Sequence, residues 1–179
     1  MPQPVTAPIS AHERYPTGTV LLSNALTFLT WTIGAYIIWT ALGIAFSLLF
    51  IAYCILIELN LLRRSCVSCY YYGKTCFSGR GRCCSALFKR GNAGDFAGRE
   101  ITWVDMLPDI LVSVIPITCG IGVMIVDFSW LVLALLLALV GLTTMGNALV
   151  RGRLACKYCR QRTLGCPAER LFQKREGRE

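Results

Sequence analysis

At 179 residues, with 55% apolar side chains, only 16% charged and a mean hydropathy of +0.55, the chain has too little polar surface for a water-soluble domain of its length. Its formal net charge is +8. Composition alone therefore places the chain in a bilayer and requires its positive charge to lie on the parts that leave the membrane.

Taken in order, residues 1–16 form an N-terminal segment with one arginine and four prolines. They offer no short apolar region ending in a small-residue cleavage site, so no signal peptide is expected. Residues 17–60 read as a first transmembrane hairpin. Between positions 20 and 59 the only charged side chain is Glu58, and that length is about twice the ~20 residues one crossing needs. No charge marks the turn; internal symmetry puts it near Trp39. Residues 61–105 form a cysteine-rich basic loop. Its 79–99 stretch resembles a phosphate-binding loop only superficially, lacks G-x-x-x-x-G-K-[ST], and reads as a flexible basic segment at headgroup level. Residues 106–150 form a second hairpin, with Asp127, Phe128 and Ser129 as its turn. Pro108 and Pro116 predict a kinked or broken third span. Gly34, Gly43, Gly141 and Gly146 are expected to let helices approach closely, and Trp103 and Trp130 to anchor span ends at the interface. Residues 151–179 are a basic, cysteine-containing tail. The predicted fold is an all-α membrane protein: four transmembrane helices as two tandem hairpin repeats, with small cysteine-rich cytoplasmic segments shaped as metal knuckles.

All 18 lysines and arginines fall at Arg14, in the 61–105 loop or in the tail, and none falls in either hairpin turn. The positive-inside bias then makes the protein multi-pass, with both termini and the central loop cytoplasmic. The same one-sided charge predicts attraction to anionic headgroups, at about 1 kcal/mol per basic residue near the surface. Nucleic acid is not the expected partner. Glu58 and Asp109 lie near the basic ends of their spans and are expected to pair with Arg63, Arg64 or Arg99 rather than to line an ion path, since neither is duplicated.

Two copies of the spacing C-x2-C-x6-C carry the chemistry. Cys66, Cys69 and Cys76 form one copy; Cys156, Cys159 and Cys166 form the other, displaced by 90 residues, and Arg63 aligns with Arg153 under the same shift. Cys83 and Cys84 bring the basic side to eight thiols, while Cys54 and Cys119 lie within spans. A dense thiol set in a reducing compartment points to metal or thiol chemistry rather than to disulfides. A C-x2-C turn puts two sulfurs on one knuckle, and neighbouring cations are expected to favour thiolates. Cys66, Cys69, Cys76, Cys83, Cys84, Cys156, Cys159 and Cys166 are the candidate metal ligands. Each hairpin could close its own site, a member of the Cys83/Cys84 pair could cross over, or the knuckles could face each other across a pseudo-two-fold axis and share their sites.

The stretch Cys156-Lys157-Tyr158-Cys159-Arg160-Gln161-Arg162-Thr163-Leu164-Gly165-Cys166 resembles half of the fungal binuclear zinc cluster, which also repeats C-x2-C-x6-C with basic residues after the second cysteine. Here two spans separate the copies, and Tyr70, Tyr71 and Tyr72 replace the basic run in the first. The resemblance implies that six thiolates so spaced hold zinc, and does not extend to DNA binding. Zinc is the expected cofactor. An iron-sulfur cluster is the alternative, although the ferredoxin spacings are absent, and unligated or palmitoylated thiols are a third state. His12, the only histidine, is remote in sequence from every cysteine.

No acid/base or nucleophile constellation marks an enzyme. The sequence reads as an integral membrane subunit or scaffold whose cysteine knuckles bind structural zinc and present a basic face to a partner, within a larger membrane complex or a homo-oligomer. The alternatives are a redox protein, by architectural analogy to four-helix disulfide-forming quinone reductases, and a metal-ion carrier passing ions toward Cys54 and Cys119.

Overall fold

The computed structural model describes residues 11–99 and 101–167. Four long apolar helical stretches organise it, and among the described residues there is no strand. Helix α1 spans Thr17–Leu42 and α2 spans Ile44–Arg64. Two short helices, α3 (Arg80–Leu87) and α4 (Ala93–Gly98), follow on the basic side. Helix α5 spans Trp103–Val126; α6 spans Trp130–Gly141 and continues in π-helical geometry through Leu142–Gly146 and Ala148–Ala155; α7 is a single turn, Arg160–Thr163.

The candidate spans contain 24 to 29 residues, which at about 1.5 Å per residue exceeds the ~30 Å hydrocarbon thickness. The bundle is apolar on its outside as well as within. Ile125 and Val126 are 80% and 88% exposed, and Leu21, Leu48, Leu49, Leu56 and Leu137 also face outward. In water such a surface would aggregate; against acyl chains it is matched to its surroundings. This is a membrane protein.

Two interior clusters hold the helices together. Ile33 and Ile37 of α1 pack with Val132, Leu136 and Leu139 of α6, and Ile38 packs with Phe50 and Cys54 of α2. Cys119 of α5 touches both. Gly34 admits this packing: a Cβ there would lie 3.1 Å from the Phe50 ring and 3.2 Å from Pro116. Gly146 serves the same end against Leu26, whereas Gly141 faces open space and has no such role.

The first turn falls at Gly43, not near Trp39. Gly43 adopts φ +90°, a conformation that strains other residues, and its N–H closes α1 on the Trp39 carbonyl at 2.9 Å. Ser47 Oγ then donates to the Ala35 carbonyl at 2.9 Å, pinning α2 against α1. The second turn occupies Asp127 to Ser129, where the sequence puts it. The hairpins therefore do not superimpose by a shift of 90. Four more residues separate Trp130 from Cys156 than separate Ile44 from Cys66, and the π-helical stretches, which hold more residues per turn, absorb the excess.

Helix α5 continues through Pro108 and Pro116 without a break; Pro116 is buried within the bundle, and Tyr53 Oη donates to the Pro108 carbonyl at 3.0 Å. Two further expectations are revised. The 79–99 stretch is not a featureless loop, because α3 and α4 occupy most of it. Glu58 pairs with Arg80 of α3 rather than with Arg63, Arg64 or Arg99. Asp109 forms no ion pair among the described residues; Arg151 and Arg80 are its cationic neighbours.

Candidate functional site

Each C-x2-C run folds into the same small unit at the end of a long helix. Cys66–Ser68 forms one 3-10 turn and Cys156–Tyr158 the other. The N–H of Cys69 donates to the Cys66 carbonyl at 3.4 Å, and that of Cys159 to the Cys156 carbonyl at 3.3 Å. Both second cysteines are extended, at φ −77° and −80°. The next bonds also match: Tyr72 N–H to Cys69 O and Arg162 N–H to Cys159 O, each 3.1 Å. The Tyr71 amide stands at the Cys69 sulfur, and the amides of Gln161 and Arg162 at the Cys159 sulfur. Backbone N–H groups aimed at sulfur stabilise negative charge on it.

The loop after the first turn wraps back on itself. Gly79 takes φ +73°, and its N–H donates to the Cys76 carbonyl at 3.0 Å. Gly81 N–H points at Cys76 Sγ, 3.4 Å away, and its carbonyl accepts from Gly73 N–H at 3.0 Å. Only glycine fits at position 81, since a Cβ would stand 2.1 Å from the Tyr71 carbonyl oxygen and 2.5 Å from that of Lys74. Helix α3 then places Cys84 in the interior, with its sulfur 3.6 Å from the Leu62 carbonyl, and leaves Cys83 exposed. Tyr72 Oη donates to Phe88 O at 2.8 Å, and Gly91 N–H to Val67 O at 3.0 Å.

The two turns meet through residues that the cysteine spacing does not mark. Buried Gln161 accepts from Tyr70 N–H at 2.7 Å through Oε1, joining the turns directly. Tyr71 Oη accepts from Arg160 N–H at 3.1 Å and donates to the His12 carbonyl at 2.6 Å. His12 N–H donates to Tyr158 O at 3.0 Å, so the N-terminal segment lies alongside the second turn. Tyr15 completes the seam: its N–H donates to Thr75 O at 3.0 Å and its buried hydroxyl to Ala155 O at 2.6 Å. The Tyr15 and Tyr71 rings lie 5.7 Å apart, and Lys74 Nζ sits 4.2 Å over the Tyr70 ring. These contacts, remote in sequence, carry no motif that would announce them.

Electrostatically, burial outweighs the basic surroundings expected to favour thiolates. Desolvation pushes the Cys69 thiol up to about 11, with the sulfurs of Cys159, Cys76 and Cys166 adding to the shift and the Tyr71 amide opposing it. Burial raises Cys159 and Cys84 as well. Tyr71 is raised to about 12, again chiefly by desolvation. Metal-free, the interior thiols are neutral at pH 7.

Of the eight candidate ligands, Cys66, Cys69, Cys76 and Cys84 gather around the first turn, and Cys156, Cys159 and Cys166 around the second. Cys69 bridges the two sets by sensing both Cys159 and Cys166. Cys83 points away. All ten cysteines are free, and among the described residues no three histidine, cysteine or acidic side chains converge on one point at metal-binding distance. The donor set has the softness and the N–H···S support of a thiolate metal site, while the sulfurs as placed are neighbours rather than a closed ligand shell. No protein-family model, curated protein or solved structure matches the chain.

Proposed function

We propose that the protein is a non-catalytic membrane scaffold whose two cysteine turns, related as tandem repeats, form one cytoplasmic cap that binds a soft metal ion, zinc in the first instance. The observation that carries this reading is the apposition of two locally equivalent C-x2-C turns, with Cys69 neighbouring Cys159 and Cys166. Cys66, Cys69, Cys76, Cys156, Cys159 and Cys166 would supply the four ligands of a tetrahedral ion, with Cys84 in reserve and Cys83, exposed and outside both C-x2-C-x6-C copies, left out. Zinc bound only by sulfur is coordinatively closed and would join the loop to the tail rather than perform chemistry. The cap displays Lys74, Arg160 and Lys157 near its tyrosines, a basic and aromatic face suited to an acidic protein partner or an anionic membrane surface. The charge asymmetry supports a multi-pass arrangement with both termini and the cap cytoplasmic.

Elemental analysis and an absorption spectrum of protein purified without oxygen test this reading. A colourless protein with at least about one zinc per chain, reduced in Cys159→Ser, supports it. A brown, bleachable chromophore replaces it with electron transfer, and a metal-free protein in which Cys159→Ser leaves the cap intact removes the metal role.

A further inference from the structure

Between the spans, on the basic side of the bundle, lies a cavity of about 420 Å³, within the ~300–1,000 Å³ range of small-ligand sites. All four spans line it, and Arg80, Arg99 and Ile101 of the central loop roof it. Its lining is mixed. Leu26, Trp31, Ile57 and Val112 contribute apolar wall, and Arg64, Arg80, Arg99 and Arg151 line it together with Glu58, Asp105 and Asp109.

The polar partners leave a surplus. Arg80 is taken by Glu58. Asp105 is committed to the Thr102 N–H and hydroxyl, at 3.0 and 2.7 Å, where it caps α5. Arg99 donates one bond to the Arg64 carbonyl at 2.9 Å. Arg64 and Arg151 make no side-chain hydrogen bond or ion pair among the described residues, although Asp105 and Asp109 lie in their electrostatic range. Among the described residues four cations therefore face three carboxylates, two of which are already bonded. The lining thus suits an anion with several acceptor oxygens and an apolar tail.

We infer that this cavity is a stoichiometric site for one anionic phospholipid, such as phosphatidylglycerol. The phosphodiester lies against Arg64 and Arg151, a charge-assisted pairing that guanidinium geometry favours. The first part of an acyl chain follows Leu26, Trp31 and Val112 toward the bilayer. Diffuse attraction of the basic surface to anionic lipid has no stoichiometry; this site has one.

Native mass spectrometry of the full chain, released from nanodiscs of stated composition, tests the inference. From phosphatidylglycerol discs one lipid per chain is expected to remain bound, and from phosphatidylcholine discs none. Phosphatidylmethanol, equal in charge but without the hydroxyl, is expected to be retained as well as phosphatidylglycerol. Arg64→Gln with Arg151→Gln should lower phosphatidylglycerol retention at least about tenfold, whereas Lys89→Gln with Arg90→Gln, outside the cavity, should not change it. Equal retention of all three lipids, or of phosphatidylglycerol by the Arg64/Arg151 variant, overturns the inference. So does displacement by millimolar inorganic phosphate, which would make this a free-anion site. The lipid comparison uses unaltered protein, so it decides the matter even where a variant fails to fold, and its outcome is independent of the metal content of the cap.

Discussion

The two cysteine turns share a backbone and differ in what holds it. The first is enclosed by its own sequel: the loop through Gly73, Gly79 and Gly81 and helix α3 return to it within about 20 residues, and Cys84 is buried beneath it. Among the described residues the second has α7 after it and little else of its own. Its walls are borrowed from His12 and Tyr15 near the N-terminus and from Tyr70 and Tyr71 of the first turn. One local fold is thus stabilised by short-range closure in one place and by long-range contacts in the other. Damage to the first turn should reach the second through Gln161 and Tyr71, whereas damage to the second should spare the first.

The sharpest way to break this asymmetry is Gly81→Ala. Its Cβ meets two carbonyl oxygens that are backbone and cannot swing aside, so a cost of about 2–3 kcal/mol is expected. Hydrogen exchange should then show faster opening at both turns with the spans unchanged. Next comes Gln161→Leu, which strands the Tyr70 N–H and should cost ~1–3 kcal/mol. Exchange should quicken in the second turn and at Tyr70, while amides of α3 keep their protection; loss of protection in α3 would show the first turn to be less self-sufficient than its bonds imply. Metal content offers a third comparison. If both turns serve one ion set, Cys69→Ser and Cys159→Ser should lower bound zinc equally and Cys83→Ser should not lower it at all. Unequal losses would mean separate sites.

The smallest effect is alkaline loosening. Tyr71 has its folded value raised from 10.0 to about 12 by burial, so the neutral form is the one the fold favours. Its contribution is complete below about pH 10 and is lost as pH rises toward about 12. Tyrosinate absorbance and exchange at Arg160, whose N–H bonds the Tyr71 hydroxyl, should change together across that window.

Much of the bundle was legible because a bilayer needs long apolar runs, and the runs at 17–60 and 106–150 have few other uses. The second turn announced itself through Asp127 and Ser129. The first did not, because Gly43 carries no charge and because the repeat was assumed rigid, while π-helical geometry in the fourth span shifts its register. Helices α3 and α4 escaped notice because glycines in and around them weaken helix propensity, and their placement depends on contacts such as Arg80 with Glu58 that no spacing encodes. The cysteine pattern marks where two 3-10 turns begin, at Cys66 and Cys156. It could not name Gln161, Tyr15 or His12, which join the turns through bonds between residues far apart in the chain, nor foresee that desolvation would raise the Cys69 and Cys159 thiols.

The hydroxyl of Tyr15 reaches the carbonyl of Ala155 across 140 residues. A nascent chain leaving the ribosome from its N-terminus must hold that tyrosine ready until the fourth span has been made. Closure of the seam therefore follows synthesis of both hairpins, and a translation product cut short before Ala155 would keep its earlier spans but expose an unlatched, thiol-rich edge to the quality-control machinery.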